Sequence, residues 1–276
     1  MNGHSFYKGD GKMGIKTDYK KIKVSVEGTV GWVSLNQPDR LNALQTDLML
    51  EMAQALKELN REPDINIVVL KGEGRAFCSG GDIKSMLESN GEEHFQRMME
   101  AASDVSMTLY SMDKLTISAI HGAAAGLGYS LALATDIIVA EEGSKLAMNF
   151  IGIGLVPDGG GHYFLKERIG ASKAMQLIWA GDVMNGHEAQ AVGLIDHVVA
   201  EGKVMAEVKA LVQSYQARPL KAMLETKSIL RRGQWRELKK VLEMEQEAQW
   251  RMRQTEDHQE GIRAFVGKRK PNFKGQ

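Results

Sequence analysis

The chain reads as an α/β protein, and three observations carry that reading. Short apolar runs of strand type, such as NIVVL at 66–70 and DIIVA at 136–140, alternate with longer segments of helical period. Two of these runs lead into turns made almost entirely of small residues, KGEGRAFCSGGD at 71–82 and HGAAAG at 121–126. Beyond Glu201 strand signals stop and the chain reads as mostly helical.

Bulk properties narrow the classes. A chain of 276 residues can bury a sizeable core in one domain, or in one domain with an appendage. Lys+Arg and Asp+Glu balance at 35 each, so no polyanionic partner is implied. A single cysteine, Cys78, excludes an internal disulfide framework. There is no apolar run near the length of a membrane span and no secretory leader, so the expectation is a soluble, cytoplasmic protein without a membrane partner.

Taken in order, residues 1–17 are polar and glycine-bearing and are expected to be a disordered leader. KIKVSVEG and TVGWVSLN alternate apolar and polar residues, which predicts a hairpin turning near Glu27–Gly28. NQPDRLNAL leads into a helix over about 45–60, with Leu48, Met52, Leu56 and Leu59 on one face. Asp64–Leu70 is expected as a strand, followed by the first small-residue loop and a helix start at DIKSML. Asn90–Glu93 is expected as a mobile link before a helix over 95–112. ISAI and DIIVA are expected as buried strands, and Lys145–Met148 as a short one. FIGIGLVPDGGG is an irregular loop of the kind that often carries function. Helices are predicted at about 160–168, 172–179 and 187–192, then a strand at 193–199. Four more helices are expected at 202–215, 219–232, 235–253 and 257–266. The layout is therefore a leader (1–17), an α/β core (18–200) and a helical region (201–276) that lies over the core or against another subunit.

The two small-residue turns suggest chemistry. Small residues at a helix start let a ligand approach the backbone. The first turn of a helix offers free N–H groups and the positive end of its dipole. Two such strand ends side by side would polarise a carbonyl oxygen from both sides.

AFCSGGDIKSM at 76–86, HGAAAGLGYSLALATDIIVA at 121–140, GIGLVPDGGGHYFLKERIG at 152–170 and DHQEGIRAFVGKRKPNFKG at 257–275 closely resemble four successive signatures of the crotonase (enoyl-CoA hydratase/isomerase) superfamily. The resemblance covers roughly 22–275 and implies the superfamily's spiral of strand–strand–helix turns with a C-terminal helical region. It implies an acyl-CoA thioester as substrate and no cofactor beyond the coenzyme A that the substrate carries. It further implies a homotrimer or a dimer of trimers.

The resemblance assigns roles residue by residue. Gly81 and Leu127 match the two backbone donors of the oxyanion hole. Leu127 is a departure, since the family has glycine there, but a backbone donor does not need glycine. Ser79, Asp82 and Lys84 match the segment that holds the adenine of coenzyme A, largely through backbone groups. Phe265 and Lys268 match an ending that contacts the adenine and phosphate, in many members from a neighbouring subunit. Gly126, Tyr129 and Ser130 are secondary pocket candidates.

The acid–base residues depart from the hydratase pattern. The two glutamate positions fall on Ser130 and Phe150, so the paired-carboxylate device for activating water is absent. One carboxylate remains nearby, Asp158 of PDGGG, where the family usually has glycine. Dienoyl-CoA isomerases and the ring-opening isomerases of phenylacetate breakdown resemble this chain in having an Asp close to that place. A carboxylate facing an apolar acyl pocket has its pKa raised and can shuttle a proton. The competing reading makes Asp158 an N-cap for the helix that starts at about 160.

Other polar residues are read as structural. His121 ends a strand, Cys78 is a packed thiol without a nearby base, and Asp136 is a buried carboxylate. His162, one helical turn past Asp158, is a weaker pocket candidate, and no metal-ligand spacing is present. The favoured reading is an enoyl-CoA isomerase with Asp158 as proton shuttle. The alternatives are a hydratase or acyl-CoA hydrolase with an unusual base, and a weakly catalytic acyl-CoA-binding protein. RNA binding, known among superfamily relatives, is disfavoured by the balanced charge and the lack of basic–aromatic interleaving.

Overall fold

A computed structural model describes residues 15–82 and 91–276. The segment expected to start a helix at DIKSML, including Lys84, lies outside the described residues, as does most of the leader. Residues 15–17, expected to belong to the leader, pack on the protein: Ile15 lies against the core, and the Lys16 N–H donates to Glu58.

The expected hairpin forms from β1 (Ile22–Glu27) and β2 (Val30–Leu35), paired antiparallel through Gly28. Helix α1 (Thr46–Arg61) buries Leu48, Met52, Leu56 and Leu59, the face predicted by their spacing. Strands β3 (Ile67–Gly72), β4 (Leu115–Ile120), β6 (Ile137–Glu141) and β9 (His197–Val199) continue the sheet in parallel, giving the order β1-β2-β3-β4-β6-β9. Parallel strands covered on both faces need apolar residues at successive positions, so they read as continuous runs. Val30, Trp32, Ile67, Val69 and Ile117 point to one apolar cluster, while Val33, Leu35, Val68, Leu70 and Ile120 point to the other.

Helix α2 (Gly91–Ser111) packs on α1. Its start shows that the expected link at 90–93 is already helical from Gly91. A second, small sheet has the order β5-β7-β8, from Ala123–Ala125, Lys145–Ala147 and Val183–Met184. The two outer members were not expected, because three alanines and a two-residue strand carry no period-2 signal. Helix α3 (Leu127–Leu133) follows β5, and a 3-10 turn spans Asn149–Ile153. Helices α4 (Gly161–Ile169), α5 (Ala171–Ala180) and α6 (Gly186–Ala191) come next. The strand expected at 193–199 shrinks to β9, because the Leu194 N–H instead donates to Ala189 and closes α6.

The helical region comprises α7 (Val204–Gln216), α8 (Leu220–Arg232), α9 (Trp235–Arg253) and α10 (Glu256–Val266). Helix α7 covers the sheet face opposite α1 through Val204, Val208 and Val212. Asp136, expected to be structural, ties α8 to the sheet. It pairs with Lys227 and Arg231, each at 2.8 Å, and accepts from the Thr116 N–H and hydroxyl. Helix α9 returns to α2, and α10 packs on the 3-10 turn. The return of α9 and α10 brings C-terminal residues to the small-residue turns.

Candidate active site

The first loop and β5 run side by side. The Cys78 N–H donates to Ala123 at 2.9 Å, and the Ala125 N–H donates to Cys78 at 3.0 Å. Cys78 thus stands opposite Ala124 in parallel register, while Gly81, three residues on, bridges Leu44. Gly80 lets the loops meet: its φ is +92°, and a Cβ there would lie 2.7 Å from the Ala125 carbonyl oxygen. The first loop is strapped from the other side, where the Ser79 N–H donates to Leu41 and the Leu44 N–H to Gly80. The buried Asn42 holds the loop's base by donating to the Glu73 and Ala76 carbonyls. Sequence reasoning did not single it out.

Leu127 is the first residue of α3, so its N–H has no acceptor within the helix. Neither it nor the Gly81 N–H finds a backbone acceptor among the described loop hydrogen bonds. Both residues line one cavity of about 300 Å³, together with Ser79, Gly126, Phe150, Asp158 and Phe265. Leu44, Met49, Met98, Ile153 and Leu155 make its wall mostly apolar. That size lies at the lower end for small-molecule sites.

Among the described residues lining this cavity, Asp158 alone carries an ionisable side chain. It is 6% exposed. Its Oδ2 accepts from the Gln249 side chain at 3.3 Å, and its Oδ1 has no hydrogen-bond partner in the protein. Burial pushes its carboxyl well above the usual carboxylate range; nearby Glu245 adds to this and Arg253 opposes it. Asp158 is not the cap of α4. The N-cap residue is Gly160, and the N-terminus of α4 is served by Glu245 of α9, which accepts from the Gly160 N–H at 2.7 Å and the His162 N–H at 3.1 Å. Gly159 (φ +61°) keeps this turn against α3, since a Cβ would run into the Leu127 side chain.

Several expected site residues stand elsewhere. Tyr129 does not line the cavity. It lies two residues, about 200° around a helix, from Leu127, is fully buried, and its hydroxyl lies within the influence of Arg168 and Asp196. Ser130 is also buried behind the wall, 3.5 Å from the Gly126 carbonyl and against Met148. Asp82 is outside the lining, its carboxylate engaged by Arg40 and Gln45, each at 3.1 Å. Phe265, 55% exposed on α10, reaches the cavity of its own chain. Lys268, just past the end of α10, does not line it. Cys78 is a buried thiol pushed up to about 12, as a packed side chain would be. His121 lies 3.0 Å from the Gly74 carbonyl oxygen, in keeping with a structural role. His162 pairs with Glu245 at 2.8 Å rather than joining the cavity lining.

Residues 25–276 match the sequence model of the enoyl-CoA hydratase/isomerase family. The chain belongs to that family. Within it, the chain is similar to the Bacillus subtilis protein YhaR, named an enoyl-CoA hydratase/isomerase, at 48% identity over 91% of this chain and 98% of the relative. It is also similar to the 1,2-epoxyphenylacetyl-CoA isomerase of Escherichia coli, at 30% identity over 91% and 97% of the two chains. The crystal structure of an enoyl-CoA hydratase from Mycobacterium avium subsp. paratuberculosis superposes with a TM-score of 0.83, at 28% identity over 92% of this chain and 99% of that one. The α/β crotonase fold with its helical C-terminal region is thereby established, as is an enzyme of the enoyl-CoA hydratase/isomerase type. Among the described residues no helix is long and apolar enough to cross a membrane, and no cluster of His, Cys, Asp or Glu could hold a metal ion.

Proposed function

We propose that this enzyme is an enoyl-CoA isomerase in which Asp158 moves the proton. The thioester carbonyl accepts from the Gly81 and Leu127 N–H groups. Asp158 Oδ1 takes a proton from the α carbon of a 3-enoyl-CoA, and the C–H electrons delocalise into a dienolate whose oxyanion the two N–H groups stabilise. The same carboxyl returns the proton to the γ carbon, giving the 2-enoyl-CoA. Atoms balance without a co-reactant. Ser79, Gly126 and Phe265 line the acyl-CoA path, while Asp82, Lys84 and Lys268 are assigned to the outer part of coenzyme A.

One observation carries this reading: a single cavity is lined by a buried carboxylate with one oxygen that has no protein partner and by two residues whose N–H groups have no acceptor among the described loop hydrogen bonds. Hydration as carried out by paired glutamates is disfavoured, because Phe150 and Ser130 occupy their positions, one apolar and one behind the wall. A single carboxylate suffices for a proton shift within one substrate.

The test is a panel of 3-enoyl-, 2-enoyl- and saturated acyl-CoAs followed by mass and absorbance. The expected result is interconversion of 3- and 2-enoyl-CoA at unchanged mass. Faster gain of water would favour a hydratase, release of free coenzyme A a hydrolase, and tight binding without turnover an acyl-CoA-binding protein.

Assembly into a trimer or a dimer of trimers is part of the proposal. Helices α5, α8 and α9 leave Trp179, Ile229, Leu230 and Met244 exposed, more apolar surface than a free helical appendage presents. Sedimentation at micromolar concentration should show no dominant species of 30.5 kDa, and finding one would overturn the assembly.

A further inference from the structure

Helix α9 presents one buried stripe, Leu238, Leu242, Glu245 and Gln249. The first two are ordinary core residues. The next two are polar yet only 2% exposed each. Both point their polar ends at the turn that carries Asp158, although neither lines the cavity. Glu245 uses both oxygens at the start of α4: Oε2 on the Gly160 N–H, Oε1 on the His162 N–H and, at 2.8 Å, on His162 Nδ1. Gln249, one helical turn on, donates through Nε2 to the Val156 carbonyl at 2.5 Å and to Asp158 Oδ2 at 3.3 Å.

Two carboxylates thus lie near one helix N-terminus. A carboxylate just before a helix is the usual partner of its first N–H groups. Here that service comes from α9. We infer that Glu245 and Gln249 are positioning residues for Asp158: Glu245 takes over the cap of α4, and Gln249 holds Oδ2, so that Oδ1 is left to the substrate. The inference rests on Asp158 being the proton shuttle. It makes the C-terminal helical region part of the reaction centre, through residues that touch no substrate.

The charged groups acting on Asp158 are Glu245 and Arg253, both from α9, with His162 of α4 behind Glu245. Among the described residues, the side chains of α2 and α3 nearest Gly159 are neutral: Ser106 of α2, which donates to the Gly159 carbonyl, and Leu127 and Ser130 of α3. Glu245 therefore makes the charged form of Asp158 less favourable, and the Gln249 donor makes it more favourable.

These opposite signs give a test. The rate of 3-enoyl-CoA isomerisation is followed against pH for the wild type, E245Q, Q249L and D158N, with melting temperatures alongside. The base must be ionised, so the acid limb of the profile follows its pKa. E245Q keeps a cap oxygen but loses the charge, and its acid limb should move down by about one pH unit. Q249L loses the donor, and its limb should move up, with kcat reduced about 10-fold and KM little changed. A purely structural pair would lower the melting temperature and leave both limbs in place. Limbs that stay put, or move the same way, in folded variants overturn the inference. If E245Q does not fold, the direction of the Q249L limb decides alone. Retained turnover in D158N would instead overturn the proposed function. A dead D158N beside unmoved limbs overturns only the positioning role.

Discussion

Asp158→Asn should reduce isomerisation by about 10²–10⁴-fold, the range for loss of a general acid–base group. Asn keeps the size and an acceptor for Gln249, so KM for the acyl-CoA should change little. The stability readout runs in an unusual direction. Because burial raises the Asp158 carboxyl above its ordinary value of 3.8, its contribution to folding is fully present below about that pH and is lost as pH rises through the folded-state value. Above that range, keeping this carboxyl in its buried site therefore weakens the fold, and at neutral pH the Asn variant should melt at the wild-type temperature or above it. That advantage should vanish as the pH is lowered towards 4. Asp158→Ala should lose the same activity without the stability loss of about 1 kcal/mol that a removed cap brings, since Glu245 caps α4. Turnover assays and calorimetry on both variants check this. An active Asn variant would refute the proton shuttle.

Much of the fold was legible because its elements are long and periodic. Leu48, Met52, Leu56 and Leu59 repeat at helical spacing, and they are the buried face of α1. The hairpin was legible from two runs that alternate apolar and polar residues on either side of Gly28. The second sheet was not, because Ala123–Ala125 holds its place by pairing with Lys145–Ala147 and by its bridge to Cys78, rather than by side-chain pattern. Long-range pairing of this kind has no local signature.

The candidate site divides the same way. Gly81, Leu127, Ser79, Gly126 and Asp158 lie on contiguous motifs, and the structure brings them to one cavity. Tyr129 and Ser130 were carried along by proximity in sequence. The rotation of α3 turns Tyr129 away from the cavity, and Ser130, on the same face as Leu127, is packed against the Gly159–Gly161 turn and Met148, which a linear motif does not show. Glu245 and Gln249 were missed because they come from a helix more than 80 residues downstream of Asp158. Their signal was present in the pattern: the apolar spacing of Leu238 and Leu242 continues at Glu245 and Gln249, where a buried stripe turns polar. A polar residue in a core position needs a partner, so it is a reason to look for what it serves.

Gly81→Pro should lower turnover by about 10²-fold or more, the scale for one oxyanion donor. Proline removes the N–H and fixes φ near −65°. The first loop can lose this donor cheaply, because the adjacent straps run through other groups: Leu44 donates to the Gly80 carbonyl, and Ser79 donates to Leu41. The Gly81 φ is not among the positive ones, so the backbone does not demand glycine there. Gly81→Ala is therefore the control. It keeps the N–H while adding a methyl to the cavity wall, and it should retain much more activity than the proline variant. Circular dichroism must show both variants folded. If the proline variant is folded and turns over at the wild-type rate, the Gly81 N–H does not hold the thioester oxygen. If both variants lose activity alike, the loss comes from crowding in the cavity rather than from the missing donor.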